Sequence, residues 1–266
     1  SAFCSVFTTQ YPMATPVTLG IDIGGTNTKL GLVDEQGHCL QSTSMDTYAN
    51  QDISIFIDAL LESVETIKEE VAQEIDVKAV GIGAPNANYY NGHIEKAPNL
   101  HWGEDIPLAA ILKGRLKLPV WMTNDANAAA IGEMHYGAAQ GMKNFVVITL
   151  GTGLGSGIVV NGQLVYGHDG FAGEVGHVTI EPYGRDHSTN RKGSLETYVS
   201  ATGIKRTAFH LLANRIHSSR MRKISFDDLT SKMVTEEALK GDPIGIEACE
   251  LTGKYLGMAL ADTVLL

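Results

Sequence analysis

Apolar residues along this chain follow two patterns. Short runs rich in Val, Ile and Leu, closed by glycine, Asn or Asp, predict strands, and longer stretches with apolar positions every three or four residues predict amphipathic helices. Residues 17–21, 29–33, 39–47 and 77–84 read as strands, the last a buried one. Asp52 reads as a helix N-cap, since Ile53, Phe56, Leu60, Val64, Ile67 and Val71 recur behind it at helical spacing. A helix around 108–116 leads to a strand at 119–123, which delivers Asn124-Asp125 to the start of an Ala-rich helix over 126–138. Strands follow at 145–150 and 158–160, with Asn161-Gly162 as a hairpin turn, as Asn91-Gly92 is earlier. Ser194-Leu195-Glu196 opens a helix to about 214, residues 215–223 read as a solvated connection, and Asp242-Pro243 starts a final helix to about 261.

The stretch Asp22-Ile23-Gly24-Gly25-Thr26 lies between the first two strands. Adjacent glycines can take positive φ and leave their N–H groups uncovered, forming a small concave anion site. Thr26 adds a hydroxyl donor, and Asp22 is placed to hold a magnesium ion or its water shell beside phosphate oxygens. Alone, such a turn is an ordinary hairpin. A second copy changes this: laying Gly25-Thr26 on Gly151-Thr152 puts Gly31-Leu32-Val33 on Gly157-Ile158-Val159 without a gap. The repeat predicts two similar α/β lobes, each offering a phosphate loop, with a nucleotide clamped in the cleft between them.

A chain of 266 residues, 44% hydrophobic and 19% charged, is long enough for two small domains with proper cores. Its net charge of −10 argues against nucleic-acid or acidic-membrane surfaces, so an anionic ligand must be held by local N–H groups and a cation. Cys4, Cys39 and Cys249 are odd in number and widely spaced, which fits a reducing cytoplasm. No apolar run reaches membrane-spanning length. Residues 1–16 read as an extension without the basic residues of a signal peptide, and Met13 as a natural start.

Several polar residues admit two readings. Asn99 either shapes the turn Ala97-Pro98-Asn99-Leu100 or binds a polar ligand with its amide. Asp125 is either an N-cap or a proton acceptor whose negative charge the helix N-terminus favours. His177, in Gly173-Glu174-Val175-Gly176-His177, is by itself an ordinary structural histidine.

Taken in order, these stretches, together with Leu150 to Gly157 and Leu195-Glu196, resemble the ROK family of bacterial sugar kinases and repressors. The resemblance runs from about Val17 to the last residue and implies the actin-like, ribonuclease H-like ATPase fold, with lobes over 17–122 and 123–266. Residues 1–16 are too short for the repressors' DNA-binding domain, which favours the kinase branch. The resemblance implies ATP-dependent phosphorylation of a hexose at its primary hydroxyl, with magnesium and glucose as the leading substrate. The alternatives are an N-acylhexosamine such as N-acetylmannosamine, fructose, or a non-catalytic sugar-sensing role.

Residue by residue, the resemblance makes Asp125 the general base and assigns Asn99, Asn124, Asp125, Glu174, His177 and Glu196 to the sugar. Asp22, Gly24, Gly25, Thr26, Lys29, Gly151, Thr152 and Gly153 fall to the nucleotide, Asp22 also to magnesium. It implies a cytoplasmic homodimer. Two departures stand out. Family members hold a structural zinc with a histidine and three cysteines, but those positions here carry His177, His187, Thr189 and Ser194, so no structural zinc is expected. Leu266 falls where the family continues into an adenosine-contacting segment, so the second lobe is expected to be incomplete at its end.

Overall fold

The computed structural model describes residues 14–265; Cys4, Met13 and most of the expected extension lie outside them. The chain forms two compact units, one through Gln140 together with His168–Phe171, the other Gly141–Gly167 with the residues from Ala172 onward.

In the first unit, β1 (Thr15–Ile23), β2 (Asn27–Asp34) and β3 (Cys39–Asp46) form an antiparallel meander. Helix α1 (Ile53–Glu70) leads to β4 (Ile75–Gly83), which pairs parallel to β1. A two-residue ladder, β5 (Ile94–Glu95) with β6 (Asp105–Ile106), precedes α2 (Leu108–Leu116) and β7 (Val120–Thr123). The sheet order is β3-β2-β1-β4-β7, with β7 parallel to β4, and α3 (Asp125–Tyr136) follows. Strand β1 begins at Thr15, inside the expected extension, because Thr15 and Pro16 pair with Ile75 and Asp76.

Period two decides which face of β1 meets the core. Val17, Leu19, Ile21 and Ile23 are buried with Leu30 and Leu32 against Phe56, Leu60 and Ile67 of α1, each side chain contributing about 1.5–3 kcal/mol. Asp22 therefore points to the opposite face, directly across from Lys29. Asp52 caps α1 as expected, accepting from the Ser54 amide at 2.9 Å. Helix α3 packs on β4 at Gly83, where a Cβ would come within 3.2 Å of Ala128 Cβ.

In the second unit, β8 (Phe145–Leu150), β9 (Leu154–Val160) and β10 (Gln163–Leu164) form an antiparallel sheet ordered β10-β9-β8. Helices α4 (Glu196–Val199), α5 (Ala201–Asn214), α6 (Ser231–Leu239) and α7 (Pro243–Leu265) complete it. Asn161-Gly162 makes the expected turn, with φ of 53° and 76°. Strand β9 starts at Leu154 rather than 158, because Gly155, Ser156 and Gly157 pair with Thr149, Ile148 and Val147.

The helical part differs from expectation in three places. The helix expected from Ser194 to 214 is interrupted at Ser200, which is extended (ψ 169°) and caps α5 through its hydroxyl. Helix α6 was not foreseen: Val234 is its sole buried residue, which leaves almost no periodic signal. Residues 215–223 are no mere solvated connection, since Met221 is fully buried with Ile204, Leu211 and Ile244. Arg222 clamps the segment by donating to the carbonyls of Leu212, Arg215 and His217. Among the described residues no helix is long and apolar enough to cross a membrane.

Candidate active site

The glycine turn of the first unit is shaped by close packing. Neither Gly24 nor Gly25 takes the positive φ expected of it. A Cβ on Gly24 would lie 2.8 Å from the Asn27 carbonyl oxygen, and one on Gly25 would lie 3.2 Å from Asn99 Cβ. Thr47 braces the turn: its amide donates to Thr26 O and its hydroxyl to Gly24 O, both at 2.8 Å. That hydroxyl's one hydrogen is thereby used, so the buried Thr28 hydroxyl donates to Thr47 Oγ1 at 2.9 Å. Sequence reasoning missed both threonines; the available signal was Thr28 inward on a strand beside Leu30 and Leu32.

Three charged groups gather beside this turn. Partial desolvation, followed by the charge of Asp125, pushes the Asp22 carboxyl above its ordinary range, and Lys29 opposes both. Asn124, not Asp125, is the N-cap of α3, its Oδ1 accepting from the Asn127 amide at 2.7 Å. Asp125 sits in the first turn, exposed, with Oδ1 accepting from the Ala126 amide at 2.8 Å. The competition between cap and acceptor at Asp125 is thus resolved by its neighbour. Asn99 is exposed, and its turn is closed by the Leu100 amide on Ala97 O at 3.2 Å, so its side-chain amide is not what closes the turn.

The second unit builds a different constellation. The turn Gly151-Thr152-Gly153 is closed by the Gly151 amide on Gly153 O and held by the Ala201 amide, at the start of α5, on Gly151 O. Gly173 has φ of 90°, which favours glycine, and buried Ser156 accepts from the Val175 amide at 2.9 Å while donating to Gly173 O. Glu174 then leads into a tight 3-10 turn, Val175–His177, which seats against Leu154 because Gly176 has no Cβ to strike the Leu154 carbonyl. Glu196, at the start of α4, reaches the glycine turn: its Oε2 accepts from the Leu154 amide at 2.8 Å. Its Oε1 lies 2.7 Å from His187 Nε2.

His177 and His187 meet edge to face with centroids 5.0 Å apart. Burial, then the neighbouring His187, hold the His177 pKa below 6.5, with Glu196 opposing and Arg191 adding to the depression. Among the described residues, His177, His187 and Glu196 form a group whose ligand atoms lie within 4.8 Å of one another. The positions that carry zinc ligands by resemblance do not fit that metal here. Thr189 Oγ1 is engaged with His187 Nδ1 at 2.7 Å, and the Ser194 hydroxyl is buried without a partner among the described residues.

Over residues 18–266 the sequence matches the ROK family. The chain belongs to the ROK family. A glucokinase of Halalkalibacterium halodurans is 34% identical over 250 residues, covering 92% of this chain and 75% of that protein. A glucokinase of Thermotoga maritima is 36% identical over 246 residues, 91% of this chain and 76% of that protein. Among solved structures, a ROK family glucokinase from Streptomyces griseus in complex with glucose and AMPPNP is 34% identical. It matches with a TM-score of 0.74 over 93% of this chain and 78% of that one. This ROK chain accordingly has the actin-like ATPase fold and is a sugar kinase.

Proposed function

We propose that this ROK protein transfers the γ-phosphoryl group of ATP to the primary hydroxyl of a hexose, glucose first among them. Asp125 carries the reading. Because Asn124 caps α3, Asp125 spends only Oδ1 on a backbone amide, and its exposed carboxylate accepts the hydroxyl proton as that oxygen attacks phosphorus. In the first unit Asn99 and Asn124 are assigned to sugar hydroxyls; in the second, Glu174, His177 and Glu196 are. A neutral imidazole such as His177 both donates and accepts, as does each hydroxyl it meets. Gly24, Gly25, Thr26 and Lys29, and separately Gly151, Thr152 and Gly153, are assigned to the nucleotide.

Phosphoryl transfer asks little covalent chemistry of the protein, so positioning and electrostatics carry most of the acceleration. The Asp22 carboxylate offers the hard oxygen ligands magnesium takes, and its raised pKa beside Asp125 marks a place where a cation would relieve repulsion between carboxylates. Bound there, the ion would neutralise charge on the phosphate oxygens. The glucokinase relatives and the AMPPNP complex of the Streptomyces griseus protein support ATP and glucose. A homodimer belongs to the same proposal and is checked by light scattering.

The test is a coupled ADP-release assay across hexoses. Glucose is expected to give the highest kcat/KM, and deoxyglucoses lacking a recognised hydroxyl to lose up to roughly 10⁴–10⁵. Turnover of N-acetylmannosamine or fructose well above that of glucose would replace the substrate.

A further inference from the structure

Both ring nitrogens of His187 are engaged, each by a different residue, and it is not among the residues assigned above to sugar or nucleotide. Its side chain is only 5% exposed, and it touches Glu196, itself 23% exposed. The hairpin that carries it closes on itself. The His187 amide donates to Arg191 O at 2.9 Å, the Asn190 amide donates to His187 O at 3.1 Å, and Asn190 takes φ of 61°. Asp186 and Lys192 pair as an antiparallel bridge at its base. The backbone fixes where the ring stands.

The hydrogen bonds fix which nitrogen carries the hydrogen. The Thr189 amide donates to His187 Nδ1 at 3.3 Å, so Nδ1 is an acceptor. The Thr189 hydroxyl, 2.7 Å from the same nitrogen, then donates as well. With Nδ1 accepting, the ring hydrogen sits on Nε2 and is donated to Glu196 Oε1 at 2.7 Å. The other carboxylate oxygen takes the Leu154 amide at 2.8 Å. Each Glu196 oxygen thus receives one protein donor from a fixed direction and keeps a lone pair for a ligand hydroxyl. Gly153 permits this arrangement, because a Cβ there would stand 2.5 Å from Oε2.

We propose that His187 is a positioning residue for hexose recognition: locked in its Nε2–H tautomer by Thr189, it orients the Glu196 carboxylate toward the sugar without a metal. The inference deepens the proposed function, resting on its assignment of Glu196 to the sugar. It predicts a loss confined to hexose binding. Replacing His187 removes a hydrogen bond to a charged acceptor inside a nearly buried pair, whereas replacing the Thr189 hydroxyl leaves its amide still holding Nδ1.

The experiment compares His187→Leu, His187→Gln and Thr189→Val with Glu196→Gln in the complete protein. His187→Leu is expected to raise the glucose KM roughly 10- to 100-fold, with kcat and the KM for ATP near wild type. Thr189→Val should raise it roughly 2- to 10-fold. His187→Gln, which returns an N–H donor at similar reach, should recover most of the loss, a rescue that a space-filling role would not produce. Glu196→Gln separates the two levels of argument. If it leaves the glucose KM unchanged, the sugar assignment of Glu196 itself fails; if it raises KM while His187→Leu does not, the role given to His187 fails alone. Metal analysis supplies the other overturning result: stoichiometric zinc in the wild type, lost in His187→Leu, would make an ion and not the imidazole hydrogen bond the tether of Glu196.

Discussion

The two glycine turns look like copies in the sequence and are built differently. In the first, Ile23 faces Thr28, so four residues lie between the paired positions; in the second, Leu150 faces Leu154, with three between. The registers therefore differ by one: Ile21 faces Leu30, while its sequence counterpart Val147 faces Gly157 and not Ser156. Their braces differ too. Two threonine hydroxyls and backbone carbonyls hold the first turn, and the nearby carboxylates, Asp22 and Asp125, stand close enough for one to perturb the other. The second turn is tied by a carboxylate, Glu196, that takes a backbone amide directly. A shared strand-turn-strand pattern thus supports one turn flanked by interacting acids and another coupled to a side chain assigned to the sugar.

The sharpest way to break this contrast is at the acid beside the first turn. Asp125→Asn should lower kcat by roughly 10²–10⁴ while leaving the fold and the glucose KM nearly intact, since Asn124 supplies the helix cap. A near-normal kcat in steady-state assays would remove Asp125 from the chemistry.

Next in size is a stability effect at the first turn. Gly24→Ala forces a methyl against the Asn27 carbonyl, a backbone group that cannot swing away, and should cost about 1–3 kcal/mol in urea unfolding. Gly25→Ala meets the Asn99 side chain and should cost less. Equal losses would mean that the tight backbone approach at Gly24 is not what selects glycine.

At the second turn the corresponding comparison reads out in binding. Gly153→Ala displaces Glu196 and should raise the glucose KM roughly 10-fold, whereas Gly151→Ala, with nothing within 4 Å of the new carbon, should leave that KM within about twofold. Equal effects on glucose KM would uncouple this turn from Glu196.

The smallest expected effect is a pH dependence. Burial lowers the His177 pKa in the folded protein below its ordinary 6.5, so in the window beneath that value the unfolded chain binds the proton more readily. Stability should hold steady above about pH 6.5 with respect to this group and fall as pH drops below it. His177→Gln should flatten that acid limb in chemical denaturation series; an unchanged limb would assign it to other groups.

What the sequence by itself determined was everything governed by local periodicity and short-range chemistry. The strand over 17–21, the apolar face of α1 and its Asp52 cap, and the Asn161-Gly162 turn all depend on neighbours within a few residues, and each appears as read. The ordered motifs from Asp22 to Glu196 likewise sufficed for the family. Tertiary structure alone decided what depends on contacts distant along the chain. Glycine at 25 answers to packing and not to φ, because a Cβ there would press on the side chain of Asn99, far along the chain. The burial of Met221 follows from the assembly of α5, α6 and α7, which no window of 3.6-residue periodicity contains, and the start of α5 beyond Ser200 is tied to the distant glycine turn through the Ala201 amide on Gly151 O. His187 was legible only as a departure from the family's cysteine, and its tautomer and its hold on Glu196 emerge only where the hairpin brings Thr189 and α4 to opposite edges of one ring.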